Sequence, residues 1–369
     1  MVKSAYIHIP FCLSKCKYCS FVSYEKSTKE QREHYVSVLT DEIKHFYKQE
    51  PLNTLYFGGG TPSLLETAQI KRILDCFSVT EETEITIEVN PETVEFSKLS
   101  ELKDIGINRL SVGIQSFDDE ILRYIGRAHK AERAAQTLVA AQKAGFDNIS
   151  ADFIYGLPFQ TQDEFINDLQ IAVQLGVDHI SLYGLKIEKG CAFYGMFDEL
   201  SPNLPDDDMQ ADMYLAAIEF LEQENFNHYE ISNFARENKF SRHNLNYWNE
   251  GEYYGFGAAA HGFVDGVRYS NFEKLEDYEK NFTKKKEKSV LSKQEMLEET
   301  IFLGFRKGEG INTEEINKKY GIDFDSKYKQ ALEKYIKTAH LIKTPNGYRL
   351  SNEGFLLSNV ILSEFISSV

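Results

Sequence analysis

The stretch SAYIHIPFCLSKCKYC, residues 4–19, joins an apolar, strand-like run to a short loop that carries Cys12, Cys16 and Cys19. Three thiolates so closely spaced can surround one inorganic centre. Structural zinc takes about four ligands, commonly as two separated pairs, and would need a residue such as His8 to complete it here. Ferredoxin-type clusters draw on about four cysteines in a different run. A cubane with only three protein ligands leaves one iron open to coordinate a substrate. The chain holds 5 cysteines in 369 residues, an odd count that is not a disulfide framework. Cys76 follows Ile73 and Leu74 in a helical pattern and Cys191 stands alone after Gly190, so both read as small hydrophobes.

Outward from this loop, apolar β-rich runs alternate with amphipathic stretches of helical period. Strands are predicted at 4–9, 54–57, 84–89, 109–114, 149–154 and 179–183, and helices at about 28–48, 66–77, 94–104, 118–125, 130–144 and 161–175. Gly106, Gly145 and Gly176 close three of the helices, and each precedes the next strand. Such alternation builds βα units around a parallel sheet.

SPNLP at 201–205 breaks the pattern, and a helix over about 206–224 opens with three aspartates at the positive end of its dipole. The aromatic- and Gly-rich stretch 226–272 shows no clear period. Charges dominate 273–293, and the run Lys284-Lys285-Lys286 reads as a solvated face or linker. Helices from about 293, at 313–320 and at 325–338 precede LIKTPNGYRLS, in which Asn346-Gly347 marks a hairpin turn. Helices followed by a two-stranded wing resemble a winged-helix module. Three segments result: a barrel over 1–200, an extension over 201–290 that covers it, and a C-terminal domain over 291–369.

Lys+Arg 41 against Asp+Glu 57 gives a net charge of −16, which opposes attraction to nucleic acid, so no nucleic-acid partner is expected. Hydrophobic residues at 42% and charged residues at 27% exclude disordered and fibrous classes. With no spanning apolar run and no signal-peptide pattern, a cytoplasmic location is expected.

The cysteine spacing, with an aromatic before the third cysteine, resembles that of the radical S-adenosylmethionine (SAM) enzymes. In that family a [4Fe-4S] cluster binds SAM at its open iron. The resemblance implies an incomplete (β/α)6 barrel with the small helical, winged-helix-like C-terminal domain, cluster ligands Cys12, Cys16 and Cys19, and an electron donor such as flavodoxin or ferredoxin. FGGGTPS, IEVNPE, SVGIQSFD, IGRAH and DFIYGLP follow in order, and they place Tyr6, Gly59, Gly60, Thr61, Glu88, Gln115, Arg127, Asp152 and Gly184 at or near SAM. Arg127 offers a planar fork to a carboxylate, and Asp152 suits ribose hydroxyls. These groups fall at the carboxyl ends of successive strands, where barrel sites are built.

The order of motifs is similar to that of the oxygen-independent coproporphyrinogen III oxidase branch. The oxidase carries a fourth cysteine two residues after the third, and an N-terminal extension. This chain has Phe21 at that position and starts at its first strand. It carries instead HNLNYW, residues 243–248, an HNxxYW element like that of the HemW-type haem chaperones. The resemblance implies haem as cargo, acceptor haemoproteins as partners, delivery at the membrane, and His243, Asn244, Tyr247 and Trp248 as haem contacts. His243 and Tyr247 would share a helix face, and a neutral imidazole ligates haem iron well. His261 is a second candidate ligand. Haem chaperone and coproporphyrinogen oxidase are therefore the two expected functions, with the first favoured.

Overall fold

The computed structural model describes residues 2–366. The first residue of the predicted barrel and the last three of the predicted C-terminal segment lie outside the described residues. The apolar runs form β1 (Ser4–Ile9), β2 (Thr54–Gly59), β3 (Glu84–Val89), β4 (Arg109–Gln115), β5 (Ile149–Tyr155) and β6 (His179–Gly184). They pair in parallel, each with the next. Successive strand residues point to opposite faces. Ala5, Ile7 and Ile9, Leu55 and Phe57, and Ile85, Ile87 and Val89 are buried on the outer face. That face packs under α1 (Lys29–Phe46), α2 (Thr67–Leu74), α3 (Phe96–Asp104), α5 (Ala131–Lys143) and α6 (Gln162–Gln174), while α4 (Asp119–Tyr124) buries Ile121 and Leu122 in a separate apolar cluster. The alternating positions, among them Tyr6, Tyr56, Glu88, Ser111 and Asp152, turn to the inner face and touch one another there.

The helix expected after SPNLP is α7 (Asp207–Gln223), and its N-cap Asp206 accepts from Met209 N. The stretch without clear periodicity folds into β7 (Asn227–Glu230), β8 (Asn233–Ala235), α8 (Arg242–Trp248), β9 (Tyr254–Phe256), β10 (His261–Val264) and β11 (Val267–Ser270). Its strands are three or four residues long, too short to show a period. The sheet order is β9-β1-β2-β3-β4-β5-β6-β8-β7, with β9 parallel to β1 and β8 antiparallel to β6. Residues 227–256 thus widen the sheet at both edges, which goes beyond covering it.

The expectation of a solvated Lys284-Lys285-Lys286 run fails at its middle residue. The Lys285 side chain is 4% exposed and donates to Glu42 Oε1 at 2.7 Å, under the ring of Phe46. Glu42, on α1, also accepts from Gly257 N, Asn271 Nδ2 and, through Tyr278 OH, from α9 (Leu275–Asn281). A buried ammonium persists here because a carboxylate and aromatic faces replace its water.

The small sheet β10-β11 is completed by β12 (Glu287–Val290). Beyond it come α10 (Lys293–Gly304), β13 (Ile311–Asn312) and α11 (Thr313–Tyr320). The helix predicted over 325–338 divides at Tyr328, giving a short turn Phe324–Lys327 and α12 (Lys329–Lys337). The hairpin joins β14 (Leu341–Thr344) to β15 (Gly347–Leu350), so its two-residue turn is Pro345-Asn346 and not Asn346-Gly347. Gly347 answers a different need, since a Cβ there would lie 2.2 Å from Ile311 O of the neighbouring strand. One apolar core runs from Val2 to Phe365 through all three segments. Among the described residues, no helix is long and apolar enough to cross a membrane.

Candidate functional site

At the carboxyl end of β1 the cysteine loop is pinched at its neck, where Phe11 and Cys12 pair in parallel with Tyr24 and Glu25. Its far side is tied down by Lys17 N donating to Ile125 O at 2.9 Å and by Phe193 N donating to Lys17 O at 2.9 Å. Cys12, Cys16 and Cys19 are half-buried free thiols. Burial is the main cause that pushes Cys12 and Cys19 up, so both are protonated until a metal displaces the proton. Among the described residues no three His, Cys, Asp or Glu side chains converge as ligands of one ion. The His8 ring is spent on Tyr6 OH (3.1 Å) and Val22 O (3.2 Å), so it is not free to complete a zinc site.

Around the loop stand the other predicted groups. Thr61 Oγ1 donates to Cys12 Sγ at 3.5 Å, and Arg127 Nη1 to Cys16 Sγ at 3.6 Å. Arg127 Nη2 is fixed by Asn90 Oδ1 (2.7 Å) and Gly113 O (2.9 Å). Asn90 in turn donates to Thr61 Oγ1 at 3.0 Å, making it the hub of this corner. Sequence reasoning stopped at Glu88 and passed over Asn90, although a polar residue just before Pro91 at a strand's carboxyl end is the signal that marks it.

Gly59, at φ +111°, donates its N–H to Glu88 Oε2 at 3.1 Å, and Tyr56 OH donates to Glu88 Oε1 at 3.1 Å. A Cβ on Gly60 would lie 2.8 Å from Phe11 O, so glycine lets the second strand's loop meet the cysteine loop. Burial first, and the charge of Asp152 second, push Glu88 up to about 8. Asp152 is raised by burial and accepts from Ser111 (2.6 Å) and Ser150 (2.9 Å). Tyr6 stacks on Tyr56 with centroids 6.1 Å apart, and Gly184 leaves room for Tyr155 OH. Tyr183 beside it is 46% exposed, so the mouth is open.

Among the described residues, the buried atoms here without a hydrogen-bond partner include Arg127 Nε and Gln115 Oε1. Gln115 is also held at φ +65°, a strained angle for a residue with a side chain. Three thiols, an arginine fork and orphaned polar atoms at one open mouth suit a cluster with a zwitterionic ligand beside it. Cys191 is buried in a separate apolar cluster with Phe193 and Leu200, and Cys76 is spent on Arg72 O.

The HNxxYW element lies at the opposite end of the barrel. Arg242 N and His243 N both donate to Glu84, the first residue of β3, and His243 Nδ1 meets Thr54 Oγ1, the first residue of β2, at 2.8 Å. His243 Nε2 meets Tyr247 OH at 2.7 Å, and its ring stacks on Tyr56 at 5.0 Å. His243 and Tyr247 do share one helix face, but that face plugs the barrel. His243 is 1% exposed with both nitrogens engaged, and burial holds it down to about 3. In this arrangement His243 is enclosed, whereas His261 is exposed at the start of β10, electrostatically close to His8. Asn244 is half-buried on α8. Trp248 turns toward the C-terminal segment, with its Nε1 unpartnered and Arg306 over its ring at 5.8 Å.

Against known proteins, residues 6–172 match the family model of the Radical SAM superfamily and residues 291–357 that of the HemN C-terminal domain. The chain is 34% identical to the heme chaperone HemW of Bacillus subtilis, with 100% of each chain covered. It is 35% identical to that of Lactococcus lactis over 98% of this chain and 97% of the other. The Escherichia coli heme chaperone HemW is 36% identical over 71% of each. Among solved structures, the Escherichia coli coproporphyrinogen III oxidase HemN superposes with a TM-score of 0.87 at 23% identity, covering 100% of this chain and 91% of that one, a likeness of fold. The superfamily implies a [4Fe-4S] cluster and SAM, and with full-length identity of this order the chain belongs to the HemW family of radical SAM proteins.

Proposed function

We propose that this protein is a haem chaperone that carries a [4Fe-4S] cluster on Cys12, Cys16 and Cys19, binds SAM beside it, and passes haem to acceptor haemoproteins. The observation that carries this reading is the end-to-end identity with proteins named heme chaperone HemW. Two local features support it. Phe21, where the oxidase has its fourth cysteine, is 66% exposed. The orphaned Arg127 Nε and Gln115 Oε1 sit where a SAM carboxylate and amine would be received, along with Tyr6, Gly59, Gly60, Thr61, Glu88, Asp152 and Gly184. The cluster takes its electron from a small donor protein such as flavodoxin or ferredoxin. Delivery takes place in the cytoplasm or at the membrane surface.

Haem is proposed to meet α8 on Asn244 and Trp248. Ligation by His243 through the HNxxYW element then requires α8 to leave the barrel, breaking its bonds to Thr54 and Glu84, or Tyr247 on the same helix to release Nε2. His261 needs no such opening. The test is anaerobic incubation of the reconstituted protein with haem and, separately, with coproporphyrinogen III, SAM and a reductant. Retained haem that loads an acceptor apoprotein, with no protoporphyrinogen formed, is the expected result. Robust protoporphyrinogen formation would falsify it and favour the oxidase. In the same assay Cys16→Ala should bind haem yet fail to load the acceptor. Loss of the Soret band in His243→Ala or in His261→Ala identifies the ligand.

A further inference from the structure

A chain of hydrogen bonds crosses the inner face of the barrel from the SAM mouth to the HNxxYW helix. Ser150 Oγ donates to Asp152 Oδ1 at 2.9 Å and lies 2.8 Å from His179 Nδ1. His179 Nε2 lies 2.7 Å from Tyr229 OH, which accepts the backbone N–H of Ser241 at 3.1 Å. Ser241 is the N-cap of α8, its side chain accepting from Asn244 N. Ser150, His179 and Ser241 are 0% exposed and Tyr229 is 9% exposed, so solvent does not interrupt the chain.

The direction of every proton in it follows from donor chemistry. An ionised carboxylate only accepts, so the single Ser150 proton points at Asp152 and Ser150 accepts from His179 Nδ1–H; Ser181 Oγ, 3.2 Å from Ser150 Oγ, forms a side branch that also donates to Asp152. Neutral His179 then offers Nε2 as acceptor, which claims the Tyr229 proton and leaves the phenol oxygen to the Ser241 amide. Burial and the nearby Arg109 keep His179 far below its usual range, consistent with one ring proton. All donors point the same way, toward Asp152, and aligned bonds strengthen one another. The charged groups beside the chain include Glu230, which acts on Tyr229, and Arg109, which acts on Asp152, His179, Tyr229 and His243.

We infer that His179 and Tyr229 are positioning residues that couple the Asp152 end of the SAM pocket to the N-terminus of the HNxxYW helix, so that a ligand taken up by Asp152 loosens α8. The inference rests on the reading of Asp152 as part of the SAM pocket. Ribose hydroxyls donating to Asp152 compete with Ser150 for the same oxygens. Each bond upstream weakens, down to the one that holds Ser241 N–H, and the plug carrying His243 is eased.

Hydrogen–deuterium exchange on the anaerobically reconstituted full chain, with SAM binding followed in parallel by titration calorimetry, tests this without haem. SAM should speed exchange across residues 241–248 about fivefold or more. In Tyr229→Phe, which removes the hydroxyl and keeps the ring against Phe240, SAM should still bind but α8 should no longer respond. The same response in the variant, or none in wild type with SAM bound, overturns the inference. Absence of SAM binding in wild type overturns the pocket and the inference together. Should Tyr229→Phe fail to fold, the wild type itself gives a second reading. ¹⁵N-histidine NMR, with His179 assigned by its loss in His179→Gln, should show the Nδ1–H tautomer and a shift on SAM addition. An Nε2–H tautomer would reverse the chain and sink the idea.

Discussion

Glu88 carries the clearest pH signature of any residue at the mouth. Its carboxyl, pushed up to about 8 by burial and by Asp152, holds in the native state a proton that the unfolded chain has already released. Its contribution to stability is complete below its ordinary value near 4.5 and is lost as pH rises through about 8. In thermal melts without SAM, Glu88→Gln should therefore gain steadily on the wild type across about pH 5–8, since the amide has no proton to lose. A melting difference that stays constant over that range would show that Glu88 ionises normally. His8, held down to about 4 by burial, stays neutral in the native state across this window; the stability it gains as pH rises toward its ordinary 6.5 is common to both proteins and cancels from the difference. The cysteine loop and Glu88 were legible in the sequence because they follow or end a strongly apolar strand, Asp152 because it is the one charged residue inside another, and Arg127 only through the family resemblance. Asn90 was not, because its role comes from partners in two loops distant in sequence, Thr61 after β2 and Arg127 after α4.

At the scale of elements, α8 is held mainly by its first turn. Glu84 takes the amides of both Arg242 and His243, and is itself 5% exposed. Glu84→Ala removes an acceptor shared by two amides and should cost about 1–3 kcal/mol in urea unfolding. Glu84→Gln, which keeps one oxygen, should cost less. Equal stability of all three would mean that packing of His243 on Tyr56, and not the cap, fixes the helix. Periodicity placed the six long strands because each is a buried run of six or seven residues. It could not place α8 at the amino end of the barrel. That position is set by Thr54 and Glu84, whose side chains meet it from 189 and 159 residues away. The hairpin turn shifted by one residue for a related reason: Gly347 is demanded by the neighbouring strand, which local turn preferences do not see.

For the whole molecule, the buried pair Lys285 and Glu42 binds the extension to the first barrel helix across 243 residues of sequence. Lys285→Ala leaves the Glu42 charge in the core without its cation and should cost about 3–5 kcal/mol in urea unfolding. The double variant Lys285→Met with Glu42→Gln should recover much of that loss, because the cost lies in the uncompensated charge. If the double variant is as unstable as the sum of the singles, the pair is not coupled. The pairing of β9 with β1 has a further consequence, for synthesis. Ile7 finds its partner on that edge, Phe256, only when the last strand of the sheet has been made. At about 5–20 residues per second, β1 leaves the ribosome and waits on the order of 10–50 s with one edge bare. An unpaired apolar edge is a template for wrong pairing. The nascent chain is thus most exposed to aggregation in the interval after its cysteine loop has been translated and before the strand that seals its first edge exists.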